Sequence, residues 1–157
     1  MGAVAVLLAC SPQAPAQNAP IDNNVGVDVR APQTGLRQVP LTIKSKNGVH
    51  TFKVDVAATP EQQEKGLMFV QSLPGDRGMI FPYDPPQEVA FWMKNTLIPL
   101  DIAYIRSDGT IVRITKAEAM DLTPLPSGEP IAAVLEIRSG RAAELGIREG
   151  DIVEWTR

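Results

Sequence analysis

The chain is short of the residue types that most often announce a chemistry. Its 157 residues include one cysteine, Cys10, and one histidine, His50. No disulfide can form within a single chain, and no thiolate or imidazole metal cluster can be assembled there. A DxDxDG-type calcium loop is absent, so neither a metal nor a cofactor is expected. Aromatic residues make up only 5% of the chain, too few for a platform on which bases could stack. An excess of one charge is also missing. There are 15 Lys and Arg against 18 Asp and Glu, a formal charge of −3, with no basic run. Nucleic acid is therefore excluded as a main partner. No GxSxG motif and no internal repeat is present, so an α/β-hydrolase nucleophile is excluded as well.

What is present begins with an address. Residues 1–10 read MGAVAVLLAC. The apolar run Ala3–Ala9 is too short to span a bilayer. Leu7-Leu8-Ala9-Cys10 resembles a lipobox, the cleavage and lipidation signal of bacterial lipoproteins. That resemblance implies an acylated Cys10 as a firm membrane anchor, with residues 1–9 a truncated signal of that type. Ser11 after the cysteine implies export to the periplasmic side of the outer membrane. A cysteine in this place is not available to a Cys–His nucleophilic pair. Residues 10–38 are rich in Pro, Gln, Asn and Ala, and read as a flexible linker that cannot offset the entropy of its own ordering.

Residues 39–157 are expected to form one β-rich domain, large enough to bury roughly two-thirds of its unfolded-chain surface. Leu41–Lys46 and Thr51–Val56 alternate apolar and polar residues around Asn47-Gly48, which predicts a hairpin with a type I′ turn. Thr59, Pro60 and Gln62 predict a capped helix over 60–65, closed by Gly66. Met79–Phe81 reads as a short strand stopped by Pro82, Pro85 and Pro86. Val89–Lys94 reads as a strand with Ala90, Trp92 and Lys94 on one face. Leu100–Ile105 and Ile131–Ile137 are nearly continuous apolar runs, which predicts strands buried on both faces. Strands are also expected at 110–117 and 152–155, and a second helix at 140–145, capped by Ser139. The connections are short, so the sheet should be mostly antiparallel. A compact barrel or two-sheet sandwich with two short helices accommodates this pattern.

The stretches TPEQQEKGLMF (59–69), GMIF (78–81), FWMKNTLIPLDIAYI (91–105), PSGEPIAAVLEI (126–137) and LGIREGDIVEW (145–155) strongly resemble the family called domain of unknown function 192. The resemblance implies a mainly β, jelly-roll-like domain, often exported. It implies no activity, substrate or cofactor.

The candidate site is the polar cluster set among these apolar runs: Trp92, Lys94, Asn95, Thr96, Asp101 and Glu136. Polar groups against an apolar wall must find partners or serve a task. One reading is structural: Lys94 paired with an acid such as Glu136, and Asn95 and Thr96 bonding the local backbone. A second is a ligand pocket floored by Trp92, with Lys94 and Asn95 as donors. A third is catalysis with Asp101 or Glu136 as an acid–base group, as in carbohydrate or peptidoglycan hydrolysis. At the level of the whole protein the readings are a small-molecule binding or interaction module of the cell envelope, an envelope hydrolase, and a structural accessory domain for another envelope protein. Met68, Met79 and Met93 read as core packing, His50 as an exposed strand residue, and Arg77 as a loop charge.

Overall fold

The structure, a computed structural model, describes residues 32–156. Cys10 and most of the expected linker lie outside the described residues. Nine strands and two helices follow one another as β1 (Gln38–Ser45), β2 (Gly48–Val56), α1 (Pro60–Lys65), β3 (Arg77–Gln87), β4 (Ala90–Phe91), β5 (Leu100–Ile105), β6 (Ile111–Ala117), β7 (Leu125–Pro126), β8 (Ile131–Arg138), α2 (Arg141–Leu145) and β9 (Ile152–Trp155). Seven strands form one sheet in the order β6-β5-β8-β3-β2-β1-β9. The sheet curls into a half-barrel whose two edges touch. Thr110, just before β6, bridges to Ile152 of β9, and Val153 N–H donates to Gly109 O while Ile111 N–H donates to Asp151 O. The fold is thus mainly β and jelly-roll-like. All pairings are antiparallel except β2 with β3. Those two are parallel because the connection between them is long enough to carry α1 back across the sheet.

Alternating side chains give the sheet two cores. One face carries Leu41, Ile43, Phe52, Val54, Ile80, Ala103, Ile105, Ile111, Leu135 and Val153, plugged at one end by Ala142 and Ile147 at α2. The opposite face carries Met79, Phe81, Leu100, Ile102, Tyr104, Ile131 and Val134, covered by Ala57, Leu67 and Met93 from the connections. β5 and β8 lie between the two cores, which explains their unbroken apolar runs: β5 is buried at every position, and β8 at all but the last.

Several local expectations change. The hairpin loop is Lys46-Asn47, because Ser45 pairs with Gly48, and the positive φ of +140° falls on Gly48. Prolines do not stop β3, which runs on through them. Its register against β8 jumps between Pro82 and Gln87, so Pro85 and Pro86 fall in a bulge where no ladder bond is needed. Val89–Lys94 is not one strand. Only Ala90–Phe91 pairs, with Leu125–Pro126 of the proline-rich connection, in a separate two-stranded sheet. α1 is built as expected. Thr59 Oγ1 accepts from Gln62 N–H, and Gln62 Oε1 accepts from Thr59 N–H, which is a capping box.

Candidate functional site

The polar cluster is divided by the sheet. Asp101 pairs with Ile137 and Ile102 with Glu136, so the two acids leave opposite faces. Asp101 is buried and committed: its Oδ1 accepts from Gly140 N–H at 3.1 Å and its Oδ2 from Ala142 N–H at 3.0 Å. The helix α2 has Gly140 at its N-cap with no side-chain cap of its own. An acid from a neighbouring strand satisfies the orphan donors instead. The expected Ser139 cap is not used, and both oxygens of Asp101 are taken up by the backbone.

Glu136 lies on the other face, between Met79 of β3 and Ile102 of β5. It is 5% exposed, and its Oε2 is buried with no hydrogen-bond partner. Burial pushes its carboxyl from an ordinary 4.5 up to about 8, because the charged form loses water without gaining a partner. The expected ion pair with Lys94 does not form. Lys94 is exposed, and its Nζ sits 5.1 Å from the centroid of the Trp92 ring. The physical reason is that residues 93–95 turn away from the sheet instead of continuing a strand into it.

Glu136 nevertheless lines a cavity of about 190 Å3 that also takes Trp92, Lys94 and Thr96. α1 and the chain after it contribute Gln63, Gly66, Leu67 and Met68, and β3 and β4 contribute Phe81, Tyr83 and Phe91. The residues from α1 were not singled out as site residues in the sequence, and nor were three aromatic ones: Phe81 and Tyr83, because the prolines hid the length of β3, and Phe91, because alternation assigned it to a core face. The walls are braced. Phe81 meets Phe91 edge-on at 5.0 Å, and Phe91 meets Tyr104 edge-on at 6.4 Å, a geometry that aromatic quadrupoles favour. Tyr104 donates its hydroxyl to Leu125 O at 2.6 Å, tying the β7 loop down. Burial, then the nearby Glu136 carboxylate, raise the Tyr104 phenol to about 12 against an opposing pull from Arg113, and the same first two causes raise Tyr83 further.

The loop at the mouth is strained. Three non-glycine residues among those described have positive φ: Phe69 (64°), Asn95 (56°) and Met120 (63°). All three meet around Thr96, since Phe69 N–H donates to Asn95 O and Met120 N–H donates to Thr96 O. Thr96 itself is buried and donates its Oγ1 to Lys94 O. Asn95 borders the cavity wall without lining it, reaching Met68 Sδ at 3.8 Å. His50 is half-buried beside Ser45 Oγ, away from the site. Among the described residues no group of three or more His, Cys, Asp or Glu side chains comes together to hold a metal.

The fold and this sequence have relatives. A protein of unknown function from Novosphingobium aromaticivorans DSM 12444 has a crystal structure at 1.22 Å with a TM-score of 0.76. It is 47% identical, over 80% of this chain and 90% of that one. A second crystal structure, of a Sinorhizobium meliloti 1021 protein described as a candidate transcription regulator, has a TM-score of 0.76. It is 35% identical, over 78% of this chain and 97% of that one. No curated protein matches the chain. Residues 41–155 match the family model DUF192, described as "Uncharacterized ACR". With nearly all of the β domain inside that match, and both relatives covered almost end to end, the chain belongs to the DUF192 family.

Proposed function

We propose that this protein is an exported, lipid-anchored envelope module whose β domain binds a small molecule in the pocket over Glu136. The observation that carries the reading is the buried Glu136 Oε2, without a hydrogen-bond partner, in a cavity walled by Trp92, Phe91 and Thr96. An acid of this kind is held against a penalty of a few kcal/mol. A hydrophobic residue of the same size would remove that penalty, so the carboxyl is retained for a contact. The strained loop supports the same place. Left-handed non-glycine residues each cost on the order of 1–3 kcal/mol and cluster where ligands are clamped.

A hydrolase with paired carboxylates is disfavoured, because Asp101 and Glu136 lie on opposite faces. Regulation of transcription, the description attached to the Sinorhizobium relative, is not extended to this chain. Its weakly acidic composition lacks the cationic excess that a phosphate backbone requires. The anchor rests on the lipobox-like Leu7-Leu8-Ala9-Cys10, and its expected address is the periplasmic side of the outer membrane.

Expression of the complete chain in a Gram-negative host tests both halves. Mass spectrometry of the membrane fraction is expected to find an acylated Cys10 peptide, and Cys10→Ser to release the protein. A fragment screen by amide NMR is expected to move the signals of Trp92, Thr96 and Glu136. Soluble, unmodified protein would sink the anchor, and binding elsewhere on the surface would sink the pocket.

A further inference from the structure

We infer that the pocket takes a small organic ammonium ion, its nitrogen meeting the Glu136 carboxylate and its carbon substituents lying against Phe81, Tyr83, Phe91 and Trp92. This rests on the binding site proposed above and names the chemistry that enters it. Four observations converge on it.

Among the side chains lining the cavity, Glu136 carries the buried polar atom that lacks a hydrogen-bond partner. Three polar groups that line the cavity or brace its wall are engaged: Thr96 Oγ1 with Lys94 O, Tyr104 hydroxyl with Leu125 O, and Gln63 Nε2 with Ala57 O and Pro82 O. A sugar brings many hydroxyls that need partners, and the aromatic stretch of the wall formed by Phe81, Phe91 and Trp92 offers few of them. A single strong donor or cation is what Glu136 Oε2 can satisfy.

Burial is what raises that acid, with no opposing pull from a cation among the described residues. The ion pairs found among the described residues all belong to other acids: Glu154, Asp55, Glu129 and Glu144. The groups facing Glu136 from adjacent elements are Tyr83 on β3 and Tyr104 on β5. Glu64 and Lys65 of α1 and Lys94 of the loop also line the cavity. A cationic ligand favours the ionised form of this carboxyl, and an anionic one opposes it.

The wall suits an organic cation better than a metal ion. Aromatic faces attract ammonium groups through the ring quadrupole, at separations within about 6 Å. Lys94 already makes such a contact with the Trp92 ring at the mouth. A hard metal ion requires several oxygen ligands, and among the described residues no group of three or more His, Cys, Asp or Glu side chains comes together to hold one.

The size is that of a headgroup. At about 190 Å3 the cavity exceeds the roughly 150 Å3 that accepts benzene in an engineered core. It falls short of the roughly 300 Å3 or more of pockets for larger ligands. It therefore holds a nitrogen with a handful of carbons.

The test uses the purified complete chain and four probes. n-Butylammonium and choline are compared with 1-butanol and 3,3-dimethylbutan-1-ol, which keep the shapes and lack the charge. Calorimetry gives affinity, and amide NMR gives location. The ammonium probes are expected to bind at least about tenfold tighter than their neutral partners, with shifts at Trp92, Thr96 and Glu136. Glu136→Gln is expected to weaken them about 30-fold or more while leaving the neutral probes unchanged. Its urea midpoint, equal to or above the parent's, certifies the fold. Trp92→Ala, at a half-exposed position, is expected to weaken the ammonium probes about threefold. Equal binding of charged and neutral probes at this site would overturn the ammonium assignment and leave the pocket standing. No shift at these three residues with any probe would overturn both.

Discussion

Glu136 and Asp101 show how differently one side-chain chemistry behaves in two surroundings. Asp101 is buried yet satisfied by two backbone donors, whereas Glu136 is buried with one oxygen unmet. Replacing Asp101 with Ala strands those donors and is expected to lower stability by about 2–4 kcal/mol in urea unfolding, without changing any binding at the pocket. For Glu136 the sign is reversed. Its native carboxyl titrates near 8 against 4.5 when exposed. Between those values the native state holds a proton that the unfolded chain has lost, so stability falls as pH rises through this window. A tenfold difference in proton affinity between the two states is worth about 1.4 kcal/mol, which makes the total several kcal/mol. Glu136→Gln is expected to abolish that slope in urea midpoints measured from pH 5 to 9. Glu129, held low by Arg106, and Glu144, held low by Arg138 and Arg141, act in the opposite sense and below the ordinary carboxylate value. The two effects therefore separate along the pH axis. Lys94 is exposed and unpaired with Glu136, so Lys94→Ala is expected to change stability by less than about 1 kcal/mol. A larger loss would restore the buried ion pair that the sequence suggested.

At the scale of elements, the position of Glu136 depends on how closely β3 approaches β8. Gly78 makes that approach possible, since a Cβ there would lie 2.6 Å from Glu136 O. Gly78→Ala is expected to push the strands apart, lowering the thermal midpoint by an amount equivalent to about 1–3 kcal/mol and loosening the pocket floor. The elements themselves were largely legible. Alternation over Leu41–Val56, the Thr59-Pro60-Gln62 cap and the continuous apolar runs of β5 and β8 each follow from local chemistry, and each is present. What was not legible depends on pairing at a distance. The bulge that lets β3 run through Pro85 and Pro86 exists only because β8 pairs with Pro82 and Gln87 and skips the residues between. The break at Met93 exists because Met93 N–H donates to Asp121 O, a bond to a loop with no strand signature. These two departures are the ones that bring Tyr83 to the cavity and keep Lys94 from pairing with Glu136. The polar cluster was legible in composition, and its geometry was not: Trp92, Lys94, Thr96 and Glu136 line one cavity, and Asn95 and Asp101 do not.

The whole molecule is a curled sheet with separate work on its two faces. One face, closed by α2 and Asp101, holds the larger core. The other, covered by α1, the strained loop and the small β4–β7 sheet, leaves room above β8. Such a division lets one face carry stability while the other tolerates an unmet acid and left-handed backbone, within a total stability of only about 5–15 kcal/mol. The exposed apolar residues Trp92, Leu97, Met120 and Leu122 gather on the two loops at that same face, beside the pocket mouth. The most direct measurement is the side-chain carboxyl 13C signal of Glu136, followed through a pH titration and assigned by its loss in Glu136→Gln. It is expected to titrate near 8 in the free protein and at a lower pH with n-butylammonium present. A midpoint near 4.5, unmoved by the amine, would contradict both the isolation of this acid and the ligand assigned to it.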